Sequence, residues 1–240
     1  MATARQKEED GLMRRSELAS YIDHTLLGPT ATRDGVERLC GEAVELGVAA
    51  VCVNLRHARL AHERLVGSPV KLCVVVGFPH GMTTSAVKAF ETQEAVACGA
   101  DEVDMVIPVG ALKDGDFEAV RTDVAAVCDA ARRAGRPVAV KVILETCFLT
   151  DDEKRRGAEL AVQAGADYVK TSTGFGSAGA TAADVVLLRR VVGPKVGVKA
   201  AGGIRDTATA IAMIEAGATR IGASRTADIL AGLGETTSAA

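Results

Sequence analysis

Short β-branched runs alternate with longer amphipathic stretches from one end of the chain to the other. The runs fall at Leu18–Ile22, Ala49–Asn54, Lys71–Val76, Glu102–Val106, Val138–Leu144, Ala166–Thr171, Gly197–Ala200 and Arg220–Gly222. They have the length and apolar continuity of strands buried on both faces. Between them, Arg33–Leu46, Arg56–Leu65, Ser85–Cys98, Phe117–Ala134, Asp151–Ala164, Ala182–Val191 and Thr207–Ala216 carry apolar residues at helical spacing, and a short last helix is predicted from Thr226. Eight strand-helix units result, the pattern of a parallel sheet covered by helices. A repeated turn supports this reading. Leu46-Gly47-Val48, Cys98-Gly99-Ala100, Ala164-Gly165-Ala166 and Ala216-Gly217-Ala218 each close a helix and lead into an even-numbered strand. The glycine stands where a helix C-cap needs a left-handed backbone.

Such a chain can close into a barrel or remain an open, doubly wound sheet. An open sheet usually carries a Gly-rich nucleotide turn after its first strand. Here that strand leads into Asp23-His24-Thr25-Leu26-Leu27-Gly28-Pro29, and the glycine-rich turns follow strands six to eight, where barrels bind phosphate. The expected fold is therefore α/β, a single-domain (β/α)8 TIM barrel over residues 16–233, with a charged extension at 1–15 and a tail at 234–240.

Composition narrows the function. The 240 residues suit one barrel, and with aromatics at 3% against 48% hydrophobic residues, Ala, Val, Leu and Gly must fill the interior. A net charge of −3 without a basic patch argues against nucleic acid,. No run approaches the ~20 apolar residues of a membrane span, and the opening MATARQKEEDGLMRRSE lacks the apolar core of a signal peptide,. A cytoplasmic protein without membrane or nucleic-acid partners is expected. Cys40, Cys52, Cys73, Cys98, Cys128 and Cys147 form no C-x-x-C pair and do not cluster with the four histidines. They read as free buried thiols, and neither a metal nor a cofactor is expected.

In a barrel the reactive groups sit at the C-terminal ends of strands. The polar residues there are Asp23, Thr25, Cys52, Asn54, Asp104, Lys141, Glu145, Lys170, Lys199 and Ser224. Lysine stands out, because Lys170 and Lys199 each end an apolar run on adjacent strands, and lysine is seldom fully buried unless paired,. Either alone is as readily an ion-paired or snorkelling side chain. Two together repel, and that repulsion is useful. At its ordinary pKa of ~10.4 a lysine is almost wholly protonated at pH 7, whereas nearby positive charge and burial can bring it to ~7–8 and free the amine for attack on a carbonyl. One lysine is then the nucleophile and the other its activator. Asp104 is the candidate proton carrier, with an ion pair to Lys141 or Lys199 as a compatible structural role. Gly174-Phe175-Gly176, Gly202-Gly203 and Gly222-Ala223-Ser224, with the helix that follows Ser224, suggest a phosphate site,.

These residues resemble the 2-deoxy-D-ribose-5-phosphate aldolases. The matching segments are Ile22-Asp23-His24-Thr25, Val74–Gly81, Gly99–Asp104, Lys141–Thr146, and above all Val169-Lys170-Thr171-Ser172-Thr173-Gly174 and Val198-Lys199-Ala200-Ala201-Gly202-Gly203-Ile204-Arg205. The resemblance implies a metal-free, homodimeric enzyme that reversibly cleaves 2-deoxyribose 5-phosphate to glyceraldehyde 3-phosphate and acetaldehyde. It assigns the Schiff base to Lys170, its activation to Lys199 and proton transfer through a water to Asp104. Asp23, Thr25, Cys52, Lys141 and Thr171 would lie at the substrate, and Gly174, Gly202, Gly203, Gly222 and Ser224 at the phosphate. The chain departs from the pattern in two places. It lacks the terminal tyrosine of some members, and Ser224-Arg225 stands where some have Ser-Ser. Arg225 is either a charged clamp or, as expected here, a solvent-facing side chain. Another imine-forming barrel aldolase and a noncatalytic sugar-phosphate binder are the rival readings.

Overall fold

The structure, a computed structural model, describes residues 13–233; residues 1–12 and the tail 234–240, and with them most of the expected charged extension, lie outside the described residues. Eight parallel strands close into a barrel in the order β1 to β8. They are β1 Ile22–Leu26, β2 Ala50–Asn54, β3 Lys71–Val76, β4 Glu102–Val106, β5 Ala139–Ile143, β6 Tyr168–Lys170, β7 Gly197–Ala201 and β8 Arg220–Ala223. The helices are α1 Arg15–Ala19, α2 Arg33–Leu46, α3 Ala58–Leu65, α4 Ser85–Ala97, α5 Val109–Lys113, α6 Phe117–Arg132, α7 Asp151–Gln163, α8 Ala182–Val192, α9 Thr207–Glu215 and α10 Thr226–Ala231. No helix among the described residues is long and apolar enough to cross a membrane.

Local chemistry explains the helix starts. Thr32, Thr84, Asp116, Thr150, Thr181 and Asp206 each accept a hydrogen bond from a first-turn amide, and Thr150 with Glu153 forms a reciprocal capping box,. The four repeated turn glycines all take left-handed backbone, with φ from 65° at Gly47 to 111° at Gly217.

One expected element was misplaced. The apolar pattern predicts the first strand over Leu18–Ile22, but Leu18 and Ala19 end α1 and the strand begins at Ile22. The segment is short enough that one apolar run fits a strand or a buried helical turn equally, and Leu18 is buried in either case,. The consequence matters for the site. Asp23 lies within the strand, not beyond its end. Met13 also packs against the core, so the chain joins the fold before residue 16. The short helix α5 and the 3-10 turns at Leu55–His57 and Thr146–Phe148 were not expected.

The main apolar core lies between the barrel and its helices, with Leu18, Val51, Val74, Val103, Val142, Val169, Val198 and Ile221 pointing into it. Inside the barrel the apolar set is much smaller, comprising Leu27, Ala50, Cys52, Cys73 and Val75 with Phe78 against them. Barrels normally fill that interior with layers of Val, Ile and Leu; here charged side chains take the place.

All six cysteines are free thiols, four of them buried and Cys98 and Cys147 partly exposed. Burial pushes the Cys40 thiol up to about 11 and the Cys128 thiol up to about 11. A raised value means less thiolate at a given pH, on the order of 10⁻³ at pH 8. Native-state alkylation followed by peptide mapping should therefore modify Cys98 and Cys147 at least ~10-fold faster than Cys40 and Cys128. Equal rates at pH 8 would show that the two helix thiols are accessible after all.

Candidate active site

Strand register builds the site. Asp104 on β4 lies beside Lys141 on β5, Lys170 on β6 beside Lys199 on β7, and Lys199 beside Arg220 on β8. Side chains in register on adjacent strands share one face at a strand spacing of ~4.8 Å. All of them crowd the barrel interior. Asp23, Asp104, Lys141 and Lys199 are fully buried, and Lys170 is 3% exposed.

Asp104 is the hub. Its Oδ2 accepts from Lys170 Nζ at 2.7 Å and from Lys199 Nζ at 2.7 Å, and its Oδ1 accepts from Lys141 Nζ at 2.8 Å and from the Cys73 thiol at 3.0 Å. Lys199 also donates to Asp23, whose other oxygen receives Arg220 at 2.6 Å. Lys141 pairs with Glu102 at 2.6 Å, and Arg220 spans to Glu102 at 3.1 Å. Four cations thus share three carboxylates, an excess of one positive charge in a buried cluster.

The electrostatics follow from these contacts. Burial alone would raise the carboxyls, but Lys141, Lys170 and Lys199 outweigh it and hold Asp104 well below the usual carboxylate range,. Asp23 is held low in the same way by Lys199, Lys141 and Arg220. Burial would lower the two deepest lysines, yet Asp104 with Cys73, Glu102 and Asp23 pushes Lys141 well above its ordinary value, and Asp104 with Asp23 does the same for Lys199. The two carboxylates therefore favour the ammonium form of Lys199. Burial pushes the Cys73 thiol up, reinforced by its hydrogen bond to Cys52, which lowers the Cys52 thiol in turn.

Above the cluster, at the C-terminal mouth, a cavity of ≈ 320 Å³ is lined by Thr25, Lys170, Gly174, Gly203, Arg205 and Ser224, with Gly202 and Gly222 completing the wall. The loops after β6 and β7 meet there because they lack side chains. A Cβ on Gly202 would stand 3.0 Å from Gly179 Cα, and one on Gly179 only 2.1 Å from the Gly202 carbonyl oxygen. Gly222, on the same wall, also leaves room for the lysine, since a Cβ there would lie 2.9 Å from Ala201 Cβ and 3.2 Å from Lys199 Cε.

Not every expected substrate contact reaches the cavity. Asp23 spends both oxygens on Lys199 and Arg220. Lys141 and Cys52 lie buried beneath the mouth, and the Thr171 hydroxyl is engaged by the Ala201 backbone at 3.2 Å in both directions. Arg225 is exposed and pairs with Asp228 of the helix it precedes at 3.2 Å. Conversely, Arg205, Cys73, Glu102 and Arg220 belong to the site or its base without having been singled out. Alternation within Glu102-Val103-Asp104, which puts Glu102 on the face of Asp104, was the available signal in the sequence, whereas Cys73 comes beside Cys52 only through strand register.

The direct repulsion expected between Lys170 and Lys199 is not what the structure displays, because one carboxylate oxygen stands between the two ammonium groups. Among the described residues, two sets of atoms lie close enough together to ligate a metal, Cys52 with Cys73 and Asp104, and Asp23 with Cys73 and Glu102. The same oxygens already receive lysine and arginine donors, so a dication there would add to an existing excess of positive charge,.

Comparison with known proteins fits this geometry. The profile described as DeoC/LacD family aldolase matches residues 18–233. The chain belongs to the DeoC/LacD aldolase family. Among relatives of this family, the deoxyribose-phosphate aldolase of Lysinibacillus sphaericus is 55% identical over 215 residues, 90% of this chain and 95% of its own length. The solved structure of an aldolase named QR15 superposes with a TM-score of 0.85 at 38% identity, covering 90% of this chain and 95% of that one. The deoxyribose phosphate aldolase of Aeropyrum pernix, described as tetrameric, gives a TM-score of 0.86 at 35% identity over 96% of this chain and 97% of its own. The barrel is thus that of a DeoC/LacD aldolase, a carbon–carbon lyase.

Proposed function

We propose that this aldolase reversibly cleaves 2-deoxy-D-ribose 5-phosphate to D-glyceraldehyde 3-phosphate and acetaldehyde through an imine on Lys170. The observation that carries this reading is that Lys170 is the one lysine of the buried cluster that lines the mouth cavity among the described residues. Lys199 and Lys141 are fully buried below it. Relatives named deoxyribose-phosphate aldolase, such as that of Clostridium perfringens at 53% identity over 220 residues, support the choice of substrate.

In this reading the Lys170 amine attacks C1 of the open-chain sugar, and loss of water gives the iminium. Removal of the C3 hydroxyl proton then breaks C2–C3, and the electron pair moves into the iminium to leave an enamine. Protonation at C2 and hydrolysis release acetaldehyde and return the amine. Asp104 is suited to relay these protons. While Lys170 is an ammonium, the carboxylate is a poor base; once that nitrogen is a neutral carbinolamine, Oδ2 loses a cation and accepts a proton more readily,. Lys199 supplies fixed positive charge, Lys141 and Asp23 hold Asp104 and Lys199 from below, and Thr25 faces the sugar from the mouth wall. Phosphate is taken by the backbone at Gly174, Gly202 and Gly203 with Ser224, and Arg205 on the same wall adds the charged partner,. A cytoplasmic homo-oligomer belongs to the same reading; Val66 and Met82 are exposed at 70% and 77%, and the Aeropyrum pernix relative is described as tetrameric.

The test combines turnover with trapping. Purified protein should release both aldehydes from 2-deoxyribose 5-phosphate, and borohydride with acetaldehyde should leave one two-carbon adduct on Lys170 by mass spectrometry. Turnover without a reducible adduct would overturn the imine on Lys170, the absence of both adduct and turnover would overturn the proposed reaction, and turnover of 2-keto-3-deoxy sugar acids instead would move the chain to another imine-forming aldolase.

The phosphate reading has its own check at Gly203. Its φ is +79° and an added Cβ would meet nothing within 4 Å, so a valine there carries backbone strain and projects its branches into the mouth. Gly203→Val should raise KM for the phosphorylated sugar ~10–100-fold and for unphosphorylated 2-deoxyribose less than ~3-fold. Equal effects on both sugars would show that this loop does not read phosphate.

A further inference from the structure

Glu145 ends the β5 side of the mouth, and it is the one non-glycine residue among those described with a left-handed backbone, at φ 58°. Its side chain is only 4% exposed. A long acidic side chain held in this sparsely populated region persists only where the surroundings over-determine it, and such residues gather at functional sites. The contacts on both sides of the kink show what it is held for. Immediately before it, the Leu144 N–H donates to the Lys170 carbonyl at 3.0 Å; immediately after it, the Thr146 N–H donates to the Thr171 carbonyl at 2.9 Å. The kink therefore grips the backbone of the reactive lysine itself.

The carboxylate then reaches across to the loop that follows β6. Its Oε1 accepts the Thr173 N–H at 3.1 Å, and its Oε2 accepts the Thr173 hydroxyl. The Thr173 hydroxyl oxygen accepts in turn from the Phe175 N–H at 3.0 Å. Gly176 packs onto the same group, since a Cβ there would meet the Glu145 carboxyl carbon at 3.3 Å. One side chain thus fixes a loop from which Thr173, Gly174 and Phe175 all line the cavity that holds Lys170. Hydrogen bonds to a buried carboxylate are among the stronger ones, and a loop held this way offers its backbone donors without being ordered first by the ligand.

We propose that Glu145 is a positioning residue for the aldol reaction, one that sets the β6 loop so that the backbone at Gly174 meets the substrate phosphate while Lys170 keeps its place at the mouth. The inference rests on the reading of this cavity as a phosphosugar site. Glu145 touches neither phosphate nor the reacting carbons; it acts through Thr173.

Three variants test it. Glu145→Gly removes both the tether and the backbone strain, Glu145→Gln keeps the shape and one acceptor oxygen, and Thr173→Val keeps Glu145 while deleting the hydroxyl partner. KM and kcat are measured for 2-deoxyribose 5-phosphate and for 2-deoxyribose, with thermal unfolding alongside. Glu145→Gly should raise KM for the phosphorylated sugar ~10–100-fold while KM for 2-deoxyribose moves less than ~3-fold, and Glu145→Gln and Thr173→Val should shift the same ratio by a smaller factor. Should Glu145→Gly fail to fold, Thr173→Val carries the measurement. Lower thermal stability with an unchanged ratio of the two KM values would overturn the inference and leave Glu145 a purely structural brace. A wild-type enzyme with no preference for the phosphorylated sugar would be a different failure, removing the phosphate reading together with what is built on it.

Discussion

Lys170→Ala is expected to abolish borohydride trapping of acetaldehyde at every pH and to lower kcat by ~10⁴-fold or more, since among the described residues no other amine lines the mouth cavity,. The fold should survive. Removing Lys170 leaves Lys141, Lys199 and Arg220 opposite Asp23, Glu102 and Asp104, a balanced set in place of one with a surplus cation. The thermal midpoint should accordingly stay within ~5 °C of the parent's, which separates lost chemistry from lost structure. A two-carbon adduct found on Lys199 in the unmodified protein, or trapping that persists in Lys170→Ala, would reverse the assignment of the two lysines.

The second large effect is expected from Lys199→Leu, and the structure changes its physical basis. Lys199 is pinned as an ammonium by Asp104 and Asp23, above its ordinary value despite complete burial. With that charge gone, Lys170 is left as the one lysine on Asp104 Oδ2, and the fixed positive charge beside the reactive nitrogen is lost. Turnover near pH 7 should fall by a factor on the order of 10²–10³, and part of it should return as pH is raised toward 9–10. The sign follows from the chemistry: losing a positive neighbour favours the protonated amine, so the acidic limb of the kcat/KM profile moves to higher pH. The adduct, slower to form, should still be on Lys170. A uniform loss across the profile, with no recovery at high pH, would mean that Lys199 positions the substrate or Asp104 and does not govern the amine.

Lys199→Leu should also cost stability, in contrast to Lys170→Ala. It removes a partner from Asp23 and Asp104 at once, and a buried carboxylate short of a partner is destabilising by ~3–5 kcal/mol when the pair is broken outright,. Arg220 and Lys141 remain to compensate Asp23, and Lys141 and Lys170 to compensate Asp104, so the loss should be smaller than for an isolated pair.

The barrel was legible because its causes are local. Strand and helix periodicities differ, and the glycines at 47, 99, 165 and 217 repeat a turn that only a left-handed residue makes well,. Lys170 and Lys199 stood out for a related reason, since a cation that ends an apolar run contradicts the pattern around it. The first strand was misread because Leu18–Ile22 is too short for its period to distinguish strand from helix, and neighbouring turns, not the residues themselves, decide which forms,.

What tertiary structure alone decided is who shares a charge with whom. The chain orders its ionisable residues along a line, while closure of the barrel brings β1 and β8 together and places Asp23 beside Arg220 and Lys199, 197 and 176 residues away in sequence. Coulomb energies fall with distance in space, and no spacing in the sequence encodes it across eight strands. So the sequence by itself determined the fold class and the two unusual lysines. The shared Asp104 oxygen, the exclusion of Asp23 and Thr171 from the cavity wall, and the grip of Glu145 on Thr173 exist only because closure and loop packing bring distant groups within hydrogen-bonding reach.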